Sequence, residues 1–148
     1  MSLLHLATPD DLPRLLPLVA ALHEELGFDT DDAHRSAAIT PLLEGSPHGA
    51  AWLIGPRKAP VGYIVITFGW SVEFGGLDGI VDEIYIRRAV RGRGMGSEAL
   101  NTLAQALKQG GMRALHLEVD SNDTQTRRFY ARQHFKERDR YMFMSRVL

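Results

Sequence analysis

The chain of 148 residues contains no cysteine. Disulfides, thiolate-ligated zinc, iron–sulfur clusters, cysteine nucleophiles and any acyl-thioester on the protein are thereby excluded. A chain without thiols also does not report its redox compartment. Long hydrophobic runs are missing too. The richest, Leu15–Leu22, is eight residues long and holds Pro17, whereas a membrane span needs about 20. Met1–Leu6 has neither the cationic start nor the apolar stretch of a signal peptide, so a soluble, cytoplasmic protein with no membrane partner is expected. The six histidines form no i,i+4 pair and no cluster with carboxylates at ligand spacing, so no metal is expected. No Gly-x-Ser-x-Gly elbow occurs, which removes support for a serine hydrolase.

What is present has the composition of an ordinary globular domain, 45% apolar and 24% charged. The length fits one domain, expected to span residues 1–148. The net charge of −1 hides a strong asymmetry. Residues 1–50 carry two basic and eight acidic side chains, and residues 86–148 carry thirteen basic and six acidic ones. An acidic start and a basic end suggest one site for a cation and another for an anion. Unevenly spread solvated charge is the simpler reading of the same numbers.

Strand and helix patterns alternate along the chain. Ser2–Ala7 reads as an edge strand. Thr8-Pro9-Asp10-Asp11 is a helix start, with a capping residue, proline at the first helical position and a carboxylate three residues after the cap. Leu12, Leu15, Leu16, Val19, Leu22 and Leu26 follow at helical spacing, and Gly27 can stop the helix. Pro13 and Pro17 predict a bend or a ragged first turn. Thr30 or Asp31 can cap a second helix reaching about Leu43. Ala51–Ile54, Val61–Phe68 and Ile80–Ile86 read as strands, with turns at Gly55-Pro56, Ala59-Pro60 and Gly75-Gly76. A helix from about Ser97 to Gln109, a strand over Ala114–Val119, a helix over Thr124–Gln133 and a last strand near Tyr141–Val147 complete the chain. The expected class is α/β (α+β) with a mixed sheet, in the order β-α-α-β-β-β-α-β-α-β.

The sharpest motif is Val90-Arg91-Gly92-Arg93-Gly94-Met95-Gly96-Ser97, between a strand and an amphipathic helix. Glycines at every second position let the backbone turn with positive φ and approach a ligand without Cβ interference. The free N–H groups at the helix start point outward with the helix dipole behind them. Arg91 and Arg93 add charge suited to phosphate. Together these features describe a diphosphate cradle. A P-loop would require Gly-Lys-Ser/Thr, and no lysine is present. A Rossmann fingerprint would require a glycine where Ser97 stands, and it would open the first βα unit. A single Arg-Gly stretch in a folded β–α context is also a poor RNA-binding segment, so no nucleic-acid partner is expected. A glycine-rich turn with exposed arginines remains an alternative for so short a string.

The same residues resemble the acyl-CoA signature of the GNAT superfamily of N-acetyltransferases, Arg/Gln-x-x-Gly-x-Gly/Ala, met by Arg91, Gly94 and Gly96. Asp82-Glu83-Ile84-Tyr85-Ile86 looks like that family's central strand. Leu117-Glu118-Val119, followed by Phe129-Tyr130 and Phe135, resembles its second conserved block. The motifs cover roughly residues 80–135. Two positions depart from the pattern: Asp123, preceded by Asn122, stands where the family often has Asn, and His134-Phe135 replaces Gly-Phe.

The resemblance implies a direct attack of an amine on acetyl-CoA, the implied co-substrate, in a ternary complex. A direct attack suits a chain with no cysteine to carry the acyl group. The diphosphate would sit on Arg91, Gly92, Arg93, Gly94, Met95, Gly96 and Ser97. The pantetheine arm would pair with backbone at Ile84, Tyr85 and Ile86, and Asn122 would lie on the thiol side. Tyr130 matches the donor to the leaving thiolate, and a phenol with a pKa near 10 suits that role. Glu118 and the pair Asp82 and Glu83 match carboxylates that serve as bases in different members. Adjacent strand residues face opposite ways, so only one of Asp82 and Glu83 is expected to address the cleft. Each carboxylate also has a purely structural reading.

Trp70, Glu73 and Phe74, before Gly75-Gly76, are weak candidates for the acceptor side. Glu24, Glu25, Asp29, Asp31 and Asp32 cluster around the first two helices, which in this family wall the acceptor pocket. That suggests a cationic amine acceptor, and a solvated helical face is the plainer alternative. A non-catalytic acyl-CoA-binding or sensing module is the competing functional reading, and a homodimer is an open partner assignment.

Overall fold

The computed structural model describes residues 3–148, so Ser2 of the expected first strand lies outside the described residues. Its contacts separate the chain into two units, Met1–Glu118 and Val119–Leu148. Among the described residues no helix is long and apolar enough to cross a membrane.

The first unit is a five-stranded mixed sheet with helices. Its strands are β1 (Leu4–Leu6), β2 (Gly49–Ile54), β3 (Gly62–Ser71), β4 (Gly76–Ile86) and β5 (Ala114–His116). They lie side by side in chain order, antiparallel from β1 to β4, with β5 parallel to β4. Three helices belong to this unit: α1 (Leu12–Leu26), α2 (Asp32–Leu43) and α3 (Met95–Gln109).

Tyr63, Ile64, Val65 and Ile66 of β3 are all buried. A run buried at every position means that both faces of the sheet are covered. Tyr63 and Val65 join Leu53, Ala51 and the α1 and α2 residues Leu15, Leu18, Val19, Leu22, Ile39 and Leu43 in one core. By strand alternation Ile64 and Ile66 face the other side. There α3, through Ala99, Leu100 and Leu103, lies against β1, β2 and β4.

The start of α1 shows how local chemistry becomes a tertiary tie. Residues Pro9–Asp11 form a 3-10 turn, the ragged start that the prolines predict. Asp11 accepts from the Thr8 backbone N–H at 2.8 Å, as a capping box requires. Its carboxylate, 1% exposed, also takes Arg14 at 2.7 Å and, from the β2–β3 turn, Arg57 at 2.6 Å. Burial opposes the charge, yet the Thr8 N–H and the two guanidinium groups outweigh it and hold the Asp11 carboxyl below its ordinary value. A carboxylate held low in the folded state adds stability above its unfolded pKa, and that stability is lost as pH falls below about 4. Asp11→Ala is therefore expected to cost about 2 kcal/mol at neutral pH. Urea melts of both proteins at pH 7 and pH 3 check this, with the difference shrinking at the lower pH.

Two strand expectations are corrected. β5 stops at His116, short of the expected Val119. The last strand near Tyr141–Val147 is not formed, and residues 141–148 carry no regular element. A strand exists only through a ladder with a partner, which local apolar character does not supply. Tyr141, Met142, Phe143 and Met144 are all exposed.

The second unit centres on α4 (Thr124–Arg132). Asp123 caps it, accepting from the Thr126 N–H at 3.1 Å and the Thr126 hydroxyl at 2.6 Å. After α4, His134 adopts φ +69°, the left-handed conformation that ordinarily favours glycine.

Candidate active site

Gly92 and Gly94 both have positive φ, +80° and +79°, and a Cβ at either would meet open space. Gly94 is the N-cap of α3, which starts at Met95 and not Ser97, and no side chain caps it. The Glu98 N–H reaches the Gly94 carbonyl at 3.0 Å. The N–H groups of Met95, Gly96 and Ser97 make no backbone hydrogen bond outside the helix among the described residues. Three donors at a positive helix end, approached across glycine, have the chemistry that suits an anion.

The two loop arginines have different fates. Arg93 is exposed. Arg91 forms a bidentate pair with Glu25 of α1, at 3.0 and 2.8 Å, and its Nε donates to the Ile86 carbonyl at 2.7 Å. Its guanidinium also lies 5.4 Å from the centre of the Tyr85 ring. Arg91 is thus a brace between α1 and the loop, and its charge is already matched.

β4 and β5 pair only over Asp78–Ile80 and Ala114–His116. β4 continues to Ile86 on its ladder with β3. From Val81 onward its other edge has no strand partner among the described residues, so Ile84, Tyr85 and Ile86 lie on an open edge, with the Ile86 carbonyl held by Arg91. An open edge can pair with an extended amide-bearing ligand.

Along this stretch Val65 pairs with Glu83 and Ile66 with Val81, so Asp82 is the extra residue of a β-bulge. The alternation that was expected to send only one of Asp82 and Glu83 into the cleft does not hold through a bulge, which re-aims side chains. Asp82 is raised above its ordinary value by loss of hydration, by Glu83 and by Glu118, with His23 opposing. Of these groups, Glu83 and His23 are in direct contact, at 2.6 Å. Asp82 and Glu118 are exposed. Glu83 has both oxygens occupied, by the Tyr63 hydroxyl at 2.8 Å and His23 Nε2 at 2.6 Å.

His23 and Tyr63 went unread in the sequence, and Glu25 was read only as part of an acidic cluster facing the acceptor. His23 carried a signal: it stands four residues after Val19, so it falls on the apolar stripe of α1, where an imidazole needs a partner. Of the acidic residues around the first helices, Glu25 holds Arg91, Asp31 caps α2 at 2.8 Å and Asp32 pairs with Arg35 at 2.6 Å. Those three have structural work. Trp70 is 75% exposed near the β3–β4 turn, Glu73 lies in that turn, and Phe74 packs on the His116 ring at 5.3 Å.

In the second unit, Tyr130 packs edge-on against Phe129 and Phe135, at 5.1 and 5.7 Å. Burial, with help from Asp123, pushes its phenol up to about 12. Asn122 is exposed in the turn before α4, its N–H on Asp120 at 2.9 Å.

Comparison with known proteins adds a second line. The profile of the acetyltransferase (GNAT) family matches residues 17–135. An integron cassette protein from the mobile metagenome of Cole Harbour Salt Marsh is 34% identical, over 99% of this chain and 90% of its own, with a TM-score of 0.86. The ribosomal-protein-alanine N-acetyltransferase of Brucella melitensis biovar Abortus 2308 is 22% identical, over 97% of each chain, with a TM-score of 0.77. An aminoglycoside acetyltransferase from an uncultured soil sample, solved with sisomicin, is 12% identical over 98% of this chain and 95% of its own, with a TM-score of 0.78. The last two share the fold. No curated protein sequence matches.

Proposed function

Because the chain belongs to the GNAT acetyltransferase family, we propose that it moves an acetyl group from acetyl-CoA directly to a primary amine. The observation that carries this reading is the start of α3, where the Met95, Gly96 and Ser97 N–H groups face out behind two positive-φ glycines. They fit a diphosphate, and exposed Arg93 adds a cation beside it. Arg91 contributes by bracing the loop. The open edge of β4 at Ile84–Ile86 orients the amide-bearing arm.

Acetyl-CoA supplies the activated thioester when bound. The chain's own residues handle the protons. Asp82 is the carboxylate with solvent access and raised proton affinity, so it takes the proton from the acceptor nitrogen. Tyr130 takes its role from the family resemblance. Its raised pKa keeps the phenol protonated through the physiological range. Because that value lies well above the ordinary thiol range, Tyr130 acts as a hydrogen-bond donor to the departing sulfur, with no complete proton transfer. Asp82 and Glu118 suit a cationic acceptor, such as a diamine or a basic amino acid.

Thiol release from acetyl-CoA with a panel of amines tests the reading. Turnover with at least one amine, and faster turnover of diamines than of neutral primary amines, is expected. Tight acetyl-CoA binding without thiol release on any amine would leave an acyl-CoA-binding module instead. Tyr130→Phe is expected to lower kcat about tenfold, one lost hydrogen bond to a developing anion, with acetyl-CoA KM unchanged.

A further inference from the structure

His23 is 9% exposed and lies in a chain of hydrogen bonds running from α2 to β4. Arg35, on α2, donates to the Thr30 carbonyl and, at 3.0 Å, to Thr30 Oγ1. Thr30 Oγ1 is 2.7 Å from His23 Nδ1. His23 Nε2 is 2.6 Å from Glu83 Oε2, and the fully buried Tyr63 donates its hydroxyl to Glu83 Oε1 at 2.8 Å.

Glu83 Oε1 already accepts from Tyr63, and a carboxylate accepts through Oε2 as well, so His23 Nε2 carries a hydrogen. The imidazole thus bridges a hydroxyl and a carboxylate, with each ring nitrogen held by one oxygen. Replacing a buried polar chain by apolar side chains of similar volume is often neutral or stabilising, so packing alone is a poor account of it. Its position does, since it ends on the residue beside the bulged Asp82.

We propose that the Arg35–Thr30–His23 chain holds Glu83 as a fixed, ionised neighbour of Asp82, which makes His23 a positioning residue for proton removal from the acceptor amine. Glu83 is clamped from two sides and cannot swing to meet the proton itself. What it contributes is a negative charge at a constant place and a rigid bulge that aims Asp82. The inference rests on Asp82 being the base. Glutamine tests it well at position 23, because its amide offers a donor, as the imidazole does.

The experiment measures kcat and both KM values for His23→Leu, His23→Gln and Thr30→Val, with the melting temperature of each. His23→Leu is expected to lose roughly tenfold to a hundredfold in kcat, the scale of a misaimed catalytic group, with acetyl-CoA KM held within about twofold. His23→Gln is expected to recover most of that loss. Thr30→Val removes the hydroxyl that links Arg35 to His23 and leaves the His23–Glu83 bond in place; it is expected to lose a few-fold in kcat, so it carries the test if His23→Leu fails to fold. The proposal is overturned if His23→Leu keeps wild-type kcat. It is equally overturned if His23→Gln is as slow as His23→Leu, which would make the imidazole a proton carrier. Nitrogen-15 NMR of the wild-type imidazole gives a readout independent of turnover, with a hydrogen on Nε2 expected and an unprotonated Nε2 excluding the chain described. If no amine releases thiol from wild-type protein, the acetyltransferase reading fails, and the protonation of Nε2 still decides the hydrogen-bond chain.

Discussion

Asp82→Asn lowers kcat for acetyl transfer by about a hundredfold or more, the usual contribution of a general base, and leaves acetyl-CoA binding intact. Asparagine keeps the size of the side chain but cannot take a proton. Three carboxylates are candidates for the base, and their surroundings separate them. Glu83 has a donor on each oxygen. Glu118 is exposed beyond the end of β5. Asp82 alone joins solvent access with a proton affinity raised by lost hydration, Glu83 and Glu118, against the opposing His23. A base works in its unprotonated form, so kcat rises with pH through the Asp82 pKa. That acid limb is expected above the ordinary carboxylate range near 4. Glu118→Gln removes one of the raising charges and is expected to move the limb to lower pH. Full pH–rate profiles of the three proteins check both statements. Wild-type turnover in Asp82→Asn would remove Asp82 from the mechanism.

Gly94→Val weakens acetyl-CoA binding roughly thirtyfold, ~2 kcal/mol, and destabilises the free protein less than it weakens the complex. The two effects have separate origins. At φ +79° a β-branched residue strains the backbone by about 1–3 kcal/mol. A Cβ there meets no protein atom within 4 Å, so crowding adds nothing in the free state. The same Cβ would stand where a phosphate must approach the N–H groups of Met95 and Gly96. Gly45 is the control, with φ +87° and equally open space after α2. Gly45→Val is expected to show similar strain in a denaturant melt and unchanged acetyl-CoA affinity by calorimetry. Equal affinity losses in both variants would take the diphosphate off the α3 loop.

The order of elements through α4 follows from punctuation in the sequence. Thr8-Pro9, Gly27, Asp31, Gly75 and the loop before α3 all act over four or five residues, and a local rule suffices for each. The glycine-lined start of α3 was legible for the same reason, since alternating glycines at a helix start need no distant partner. Three features were not legible. Arg91 reads as a phosphate ligand until Glu25, sixty-six positions away, claims it. The bulge at Asp82 has no glycine to announce it, because it arises from the register between β3 and β4. The final strand failed for the converse reason: the apolar character of Tyr141–Val147 is local, whereas a ladder partner is not. His23 lay between these cases. Its place on the apolar stripe marked it as needing a partner, and only the fold supplied Glu83.

The open edge of β4 has a consequence for the free protein. A row of unpaired N–H and C=O groups is a template on which another chain's strand can grow, and natural sheets guard such rows with charge. Here Asp82, Arg87 and Arg88, all exposed, line the end of that row and the turn after it. Charge at these positions is expected to oppose self-association. Asp82 then has two duties that mutation would remove together, so the neutral variant is the one to watch for aggregation on storage without ligand.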